Sequence, residues 1–82
     1  MKSSIEEVLA DLTPVFREVL DDDRLVLTTE LSAKDVDGWD SFTHTQLIAA
    51  IEEHYGINFR LKEILNFKNV GDMCRAVLRS AQ

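Results

Sequence analysis

The chemically suggestive residues of this chain are consecutive: Asp37, Gly38, Trp39, Asp40, Ser41 and Phe42. A glycine and a tryptophan lead into an aspartate, and a serine follows it at the start of an apolar periodic segment. Aspartate is a strong N-cap, so Ser41 falls in the first helical turn. Its hydroxyl is expected to point outward, close to backbone N–H groups that have no helical partner. An anionic group on that hydroxyl, such as a phosphodiester, would benefit from those donors and from the helix dipole. The same placement also suits an ordinary capping serine. The sequence puts no lysine or histidine directly beside Ser41 to act as its base, and His44 lies one turn further on.

Other candidate sites are weaker. Asp35, Asp37 and Gly38 suggest a calcium loop, but a loop starting at Asp35 places Asp40 where glycine is required and Gln46 where a bidentate glutamate belongs. His44 and His54 lack a thiolate or carboxylate framework for zinc and read as packed or surface histidines. Asp21, Asp22 and Asp23 read as a solvated helix end. The lone cysteine, Cys74, falls on an apolar stripe and reads as a buried, inert thiol. No metal site is expected.

These residues need helices to position them. Ile5, Val8, Leu9, Leu12, Phe16, Val19 and Leu20 recur at spacings of three and four, predicting a helix over 4–20 capped by Ser3 or Ser4. Pro14 lies inside it and predicts a kink or short break. Residues 21–40 show no sustained period and read as a long ordered loop, with one helical turn near Ser32 to Asp35. Leu25, Val26, Leu27, Leu31, Val36 and Trp39 can lie over a core. Leu25 to Leu27 resembles a short strand with nothing to pair with. A second helix is predicted from Ser41 to Tyr55, stopped by Gly56. Trp39 before its cap and His44 at its fourth position have the spacing of a hydrophobic staple. A short helix follows at 61–65, with Leu61, Ile64 and Leu65 inward. The last runs over 70–80, capped by Asn69 with Asp72 three residues on, and has Val70, Met73, Cys74, Val77 and Leu78 inward.

The fold class is therefore all-α: three main helices and one short helix in a small bundle, one domain over 1–82. So small a domain buries roughly 60–65% of its extended surface and has little material for a deep active site, which argues against an enzyme. Residues 1–56 hold 13 acids and 4 bases, and residues 57–82 hold 2 acids and 5 bases. That balance opposes nucleic-acid binding and favours protein partners. Arg60, Lys62, Lys68, Arg75 and Arg79 are too dispersed for a nucleic-acid groove. No apolar run approaches the roughly 18 residues that span a bilayer. The single cysteine and the absence of a signal peptide make the cytoplasm the default, and apolar stripes that can all be buried internally make a monomer the default.

The stretch Asp37-Gly38-Trp39-Asp40-Ser41-Phe42 resembles the carrier motif of acyl carrier proteins, Gly-x-Asp-Ser-Leu. Leu47 to Ile57 is similar to that family's second helix, with its glutamates, aromatic and Gly-Ile end. Asn69-Val70-Gly71-Asp72 is similar to its Thr-Val-Gly-Asp segment. The resemblance spans essentially the whole chain. It implies a non-enzymatic carrier with 4′-phosphopantetheine attached covalently to Ser41, its thiol holding acyl groups as thioesters. Asp40 would then contact the metal and the transferase during attachment. Phe42 would be an apolar contact beside the arm, and Trp39 a staple that can touch it. The partners implied are a phosphopantetheinyl transferase and enzymes that load and use the acyl group. They would meet the chain around Asp37, Asp40, Phe42, Thr45, Gln46, Glu52 and Glu53.

Two departures stand out. The first turn of the second helix reads Thr43, His44, Thr45, Gln46, where the family is acidic, and Phe42 replaces leucine. The carrier would serve fatty acid synthesis or a specialised acyl or polyketide-type pathway, and these departures, with Trp39 before the aspartate, favour the specialised one. Gly38-Trp39-Asp40-Ser41 also departs from the Gly-Gly-x-Ser of peptidyl carriers. The alternative from another class is an unmodified helical adaptor with an acidic binding face. It would have no need of a serine after an aspartate cap. A helix-turn-helix DNA binder is opposed by the charge.

Overall fold

The computed structural model describes residues 4–80. Among them are four helices and no strand: α1 (Ile5–Val19), α2 (Ser41–Tyr55), α3 (Leu61–Leu65) and α4 (Val70–Ser80), with a 3-10 turn at Ala33–Asp35. The expected order and the expected bounds of α2 are both present. Ser3, the alternative cap for α1, lies outside the described residues. Ser4 is the cap, its Oγ accepting from the Glu7 N–H at 3.3 Å.

α1 packs against both α2 and α4, and the core lies between these three. Val8, Leu12 and Phe16 of α1 meet Leu47, Ile48 and Ile51 of α2 and Val70, Met73, Cys74 and Val77 of α4 in one buried cluster. Pro14 does not break α1, which is continuous from Ile5 to Val19. Proline removes the N–H that would bond the Ala10 carbonyl, but both residues are exposed, so water can serve that carbonyl. The buried stripe is on the opposite side. One residue earlier, the Thr13 hydroxyl donates to the Leu9 carbonyl at 2.8 Å. Burial of Leu12 and Phe16 on either side of the proline carries the helix through.

Hydrogen bonds from α1 and α4 hold the long loop in place. Arg17 Nε donates to the Leu25 carbonyl at 2.8 Å. The first N–H groups of α4 donate to the middle of the loop, Val70 to the Leu31 carbonyl and Gly71 to the Thr29 carbonyl, both at 2.9 Å. Leu25 and Leu27 turn inward, while Val26, expected over the core, is exposed. The two carbonyls satisfy orphan donors of α4 and bring the loop backbone close to Gly71. A β-carbon there would sit 3.0 Å from the Thr29 oxygen and 3.2 Å from Thr29 Cβ. Gly71→Ala should therefore destabilise by about 1–3 kcal/mol, as overpacking does, despite alanine's better helix propensity. Urea denaturation measures this directly; a stabilised variant would show that the loop can retreat from α4.

α4 is capped as expected, with the Asp72 N–H donating to Asn69 Oδ1 at 2.9 Å. The reciprocal arm of the box is displaced by one residue: Asp72 Oδ2 accepts from the Lys68 N–H, also at 2.9 Å. α3 differs more. Ile64 is half-buried, but Leu61 and Leu65, expected to point inward, are 70% and 76% exposed. Phe59 and Phe67, on either side of α3, pack edge to face with centroids 5.2 Å apart. They anchor the short helix and leave its leucines outside.

Candidate functional site

Gly38 adopts φ +91°, a conformation that side-chain-bearing residues rarely take, and the chain turns there toward α2. Trp39 follows and is 6% exposed. Its indole meets Phe16 of α1 edge to face at 5.6 Å and stacks on His44 of α2 at 6.1 Å. Its Nε1–H donates to His44 Nδ1 at 3.1 Å. The predicted staple is thus a stack reinforced by a hydrogen bond. The loop's exit into α2 is pinned to the core at this point.

Asp40 then caps α2. Its Oδ1 accepts from the N–H groups of Phe42 and Thr43, at 3.0 and 2.9 Å. The Asp40 N–H donates in return to Thr43 Oγ1 at 2.8 Å, and that hydroxyl donates to the Gly38 carbonyl at 2.7 Å. The donor from Thr43, with that from Phe42, holds the Asp40 carboxyl below the usual aspartate range, against a smaller opposing desolvation.

Ser41 is the first residue of α2 and is exposed. Its hydroxyl makes no hydrogen bond to any described residue, and its carbonyl accepts from the Thr45 hydroxyl at 3.0 Å. Phe42 beside it is 70% exposed. A nucleophilic or modifiable hydroxyl and an uncovered aromatic ring therefore stand side by side at the helix start. One expectation needs correction. The first-turn donors of Phe42 and Thr43 were open to an anion on Ser41, but Asp40 occupies both. A negative group on Ser41 would face the Asp40 carboxylate, so it would be held by its covalent bond and not by a built anion site.

His44 is no base for Ser41, because Trp39 occupies its Nδ1. Burial lowers its pKa from 6.5. Protonation would place a hydrogen on Nδ1 and remove the acceptor. The neutral ring's contribution to stability is complete above about pH 6.5 and is lost as pH falls through the lower folded-state value. The melting temperature of the wild type should drop between pH 7.5 and 5 more than that of His44→Gln, which keeps an acceptor but does not titrate. Parallel curves would show that His44 does not couple folding to pH.

The remaining candidates are spread apart. Asp37, Thr45 and Gln46 are exposed near the start of α2, and Glu53 is exposed near its end. Glu52 was expected to face partners, but its Oε2 accepts from the Phe59 N–H at 2.8 Å and holds the chain entering α3. The Trp39 ring is committed to the core and supports the site from beneath. Cys74 is buried, which raises its thiol to about pKa 11. Missed by the sequence reading was Thr43, whose hydroxyl links the Gly38 turn to the cap. The signal available was its position three residues after Asp40, where a capping box places a side-chain partner. Among the described residues no group of three or more histidine, cysteine, aspartate or glutamate side chains could hold a metal ion, and no helix is long and apolar enough to cross a membrane.

A family model described as a phosphopantetheine attachment site matches residues 4–77. The fold is similar to the solution NMR structure of the holo acyl carrier protein from Geobacter metallireducens, with a TM-score of 0.84 and 51% sequence identity. That similarity covers 88% of this chain and 83% of the other. No curated protein matches the chain.

Proposed function

Because this chain belongs to the acyl carrier protein family, whose members are non-enzymatic carriers with a covalent 4′-phosphopantetheine, we propose that Ser41 is the residue bearing the arm. The observation that carries this is the exposed Ser41 hydroxyl, free of hydrogen bonds to the described residues, directly after the Asp40 cap. A group bonded there has open space around it. When bound, it supplies a terminal thiol that holds acyl groups as thioesters.

The chain's own residues present the serine. Trp39 and Thr43 hold the loop exit, Asp40 holds the first turn, and Oγ is left outward for a transferase to reach. No base accompanies it among the described residues, so the transferase must accept the proton as Oγ attacks the pantetheine-side phosphorus of coenzyme A, whose pyrophosphate bond breaks and releases adenosine 3′,5′-bisphosphate. With Asp40 ionised beside the attachment point, like charges favour an arm that extends into solvent. Phe42 offers an apolar foothold to whatever enzyme receives the arm.

Family membership implies contact with a transferase and with acyl-handling enzymes, and sets aside the unmodified adaptor. The finer reading is a carrier for a specialised acyl or polyketide-type pathway. It is supported by a first turn of α2 without acids, Thr43 to Gln46, and by the exposed Phe42 where the family has leucine. The residues proposed to meet partners are Asp37, Asp40, Phe42, Thr45, Gln46 and Glu53. Glu52 drops out through its bond to Phe59. The chain works as a cytoplasmic monomer of one domain.

The test is the intact mass after incubation with coenzyme A and a broad-specificity phosphopantetheinyl transferase, followed by peptide mapping. The expected result is a gain of one phosphopantetheine on the peptide containing Ser41. Unmodified but folded protein after several transferases would overturn the assignment. Equal acyl transfer by housekeeping fatty acid synthase enzymes and by pathway-specific ones would overturn the specialised role alone.

A further inference from the structure

α3 is amphipathic in an unusual sense. At about 100° per residue, Leu61 and Leu65 lie about 40° apart, with Lys62 flanking them. Glu63 lies on the opposite side and Ile64 on the flank away from Lys62, and both are half-buried. The solvent face of α3 is therefore centred on two leucines, 70% and 76% exposed. Large apolar side chains adjoining at i and i+4 in solvent are a feature of interaction surfaces.

The surroundings are basic. Residues 57–82 carry five cations and two acids. Both acids are already engaged: Glu63 pairs with Arg79 at 3.1 Å and Asp72 with Arg75 at 2.8 Å. Lys62 and Lys68 have no ion-pair partner among the described residues, Arg60 attracts Glu63 only beyond ion-pair distance, and all three cations are exposed. Beside α3 a shallow cleft of about 620 Å³ is lined by Arg60, Lys62, Glu63 and Arg79, among others. A second of about 270 Å³ shares Lys62, Glu63 and Arg79 and extends to Arg75 and Asp72.

We infer that Arg60, Leu61, Lys62 and Leu65 form a docking surface, distinct from the Ser41 site, for a partner protein whose contact segment is acidic with an apolar centre. Charge complementarity selects this occupant. The leucines fit an apolar groove and the unpaired cations fit a carboxylate rim. The rest of the chain is strongly acidic and would repel such a partner, which fixes the direction of approach. An anionic membrane is disfavoured by the net charge of −6 and by a helix of only five residues. A second copy would offer its acidic half, but only head to tail, in a contact that does not close. The surface needs no arm, so apo and modified protein should bind alike.

The probe is a synthetic helical peptide of glutamates with leucines at i and i+4, titrated into isotopically labelled full-length protein and followed by amide chemical shifts. Saturable shifts are expected on α3 and near Arg79. Leu61→Ser with Leu65→Ser, or Lys62→Glu, should each weaken binding by about tenfold or more, as should serines in place of the peptide's leucines. About 0.5 M salt should weaken it further. These exposed substitutions should leave the melting temperature and Ser41 modification unchanged, which separates failure here from failure of the carrier reading. Three results overturn the inference: no saturable shifts on α3, equal shifts from a lysine–leucine peptide, or binding that survives the double serine variant. Self-association abolished by that variant would identify a second copy as the occupant. Leucine-dependent binding to phosphatidylglycerol vesicles without peptide binding would identify a lipid surface. Either would replace the protein partner.

Discussion

Ser41→Ala should gain no phosphopantetheine under conditions that convert the wild type completely, while remaining as stable as the wild type. The first part follows from chemistry: without the oxygen there is no phosphodiester. The second follows from structure. Ser41 is exposed and its hydroxyl bonds to no described residue, while the capping is done by Asp40. Alanine is a good helix former, so the change in stability should stay within about 0.5 kcal/mol. Intact mass and thermal melting on the same sample decide both parts. If the variant still gains the arm, another serine carries it. Ser4 and Ser32 are poorer candidates, because their side chains bond to Glu7 and Asp35. If the variant unfolds, Ser41 has a structural role that its surroundings do not show.

Removing a phenyl ring from Phe16 or from Phe42 should have opposite consequences, although the side chain is the same. Phe16 is fully buried and forms one wall of the Trp39 site, at 5.6 Å. Phe16→Ala leaves a cavity and should cost about 3–5 kcal/mol. A chain of this length has a total stability of roughly 4–12 kcal/mol, so this variant loses a large part of it. At about 4–8 °C per kcal/mol, the melting temperature should fall by at least about 12 °C. Trp39 emission should shift to the red as the indole meets water. Modification of Ser41 should slow as well, because the loop exit under Asp40 loses its support. Phe42 is 70% exposed, so Phe42→Ala should change stability by less than about 0.5 kcal/mol. Its effect should appear in transfer to partner enzymes. Equal destabilisation by the two substitutions would contradict the placement of either ring.

Much of the site was legible because its interactions are local. Asp40, Gly56 and the spacing from Trp39 to His44 act within one or two turns. A cap, a stop and a staple can therefore be read from neighbouring residues. The long periodic stripes of α1 and α4 were equally clear, since many apolar positions agree on one face. The carrier motif added the chemistry that local physics leaves open between a capping serine and a modified one.

Tertiary structure alone decided the rest. α3 has five residues, too few to define a face, and its leucines point outward because Phe59 and Phe67 take the inward positions on either side of it. Glu52 looks like a surface acid until the chain returns to place the Phe59 N–H against it. Pro14 predicts a kink or short break within a single bent helix, and α1 runs unbroken because burial on its far side outweighs one missing hydrogen bond. Gly71 is needed only because the loop backbone, from about forty residues earlier in the chain, comes within contact distance. In each case the deciding contact joins residues distant in sequence, and its energy exists only once the helices have assembled.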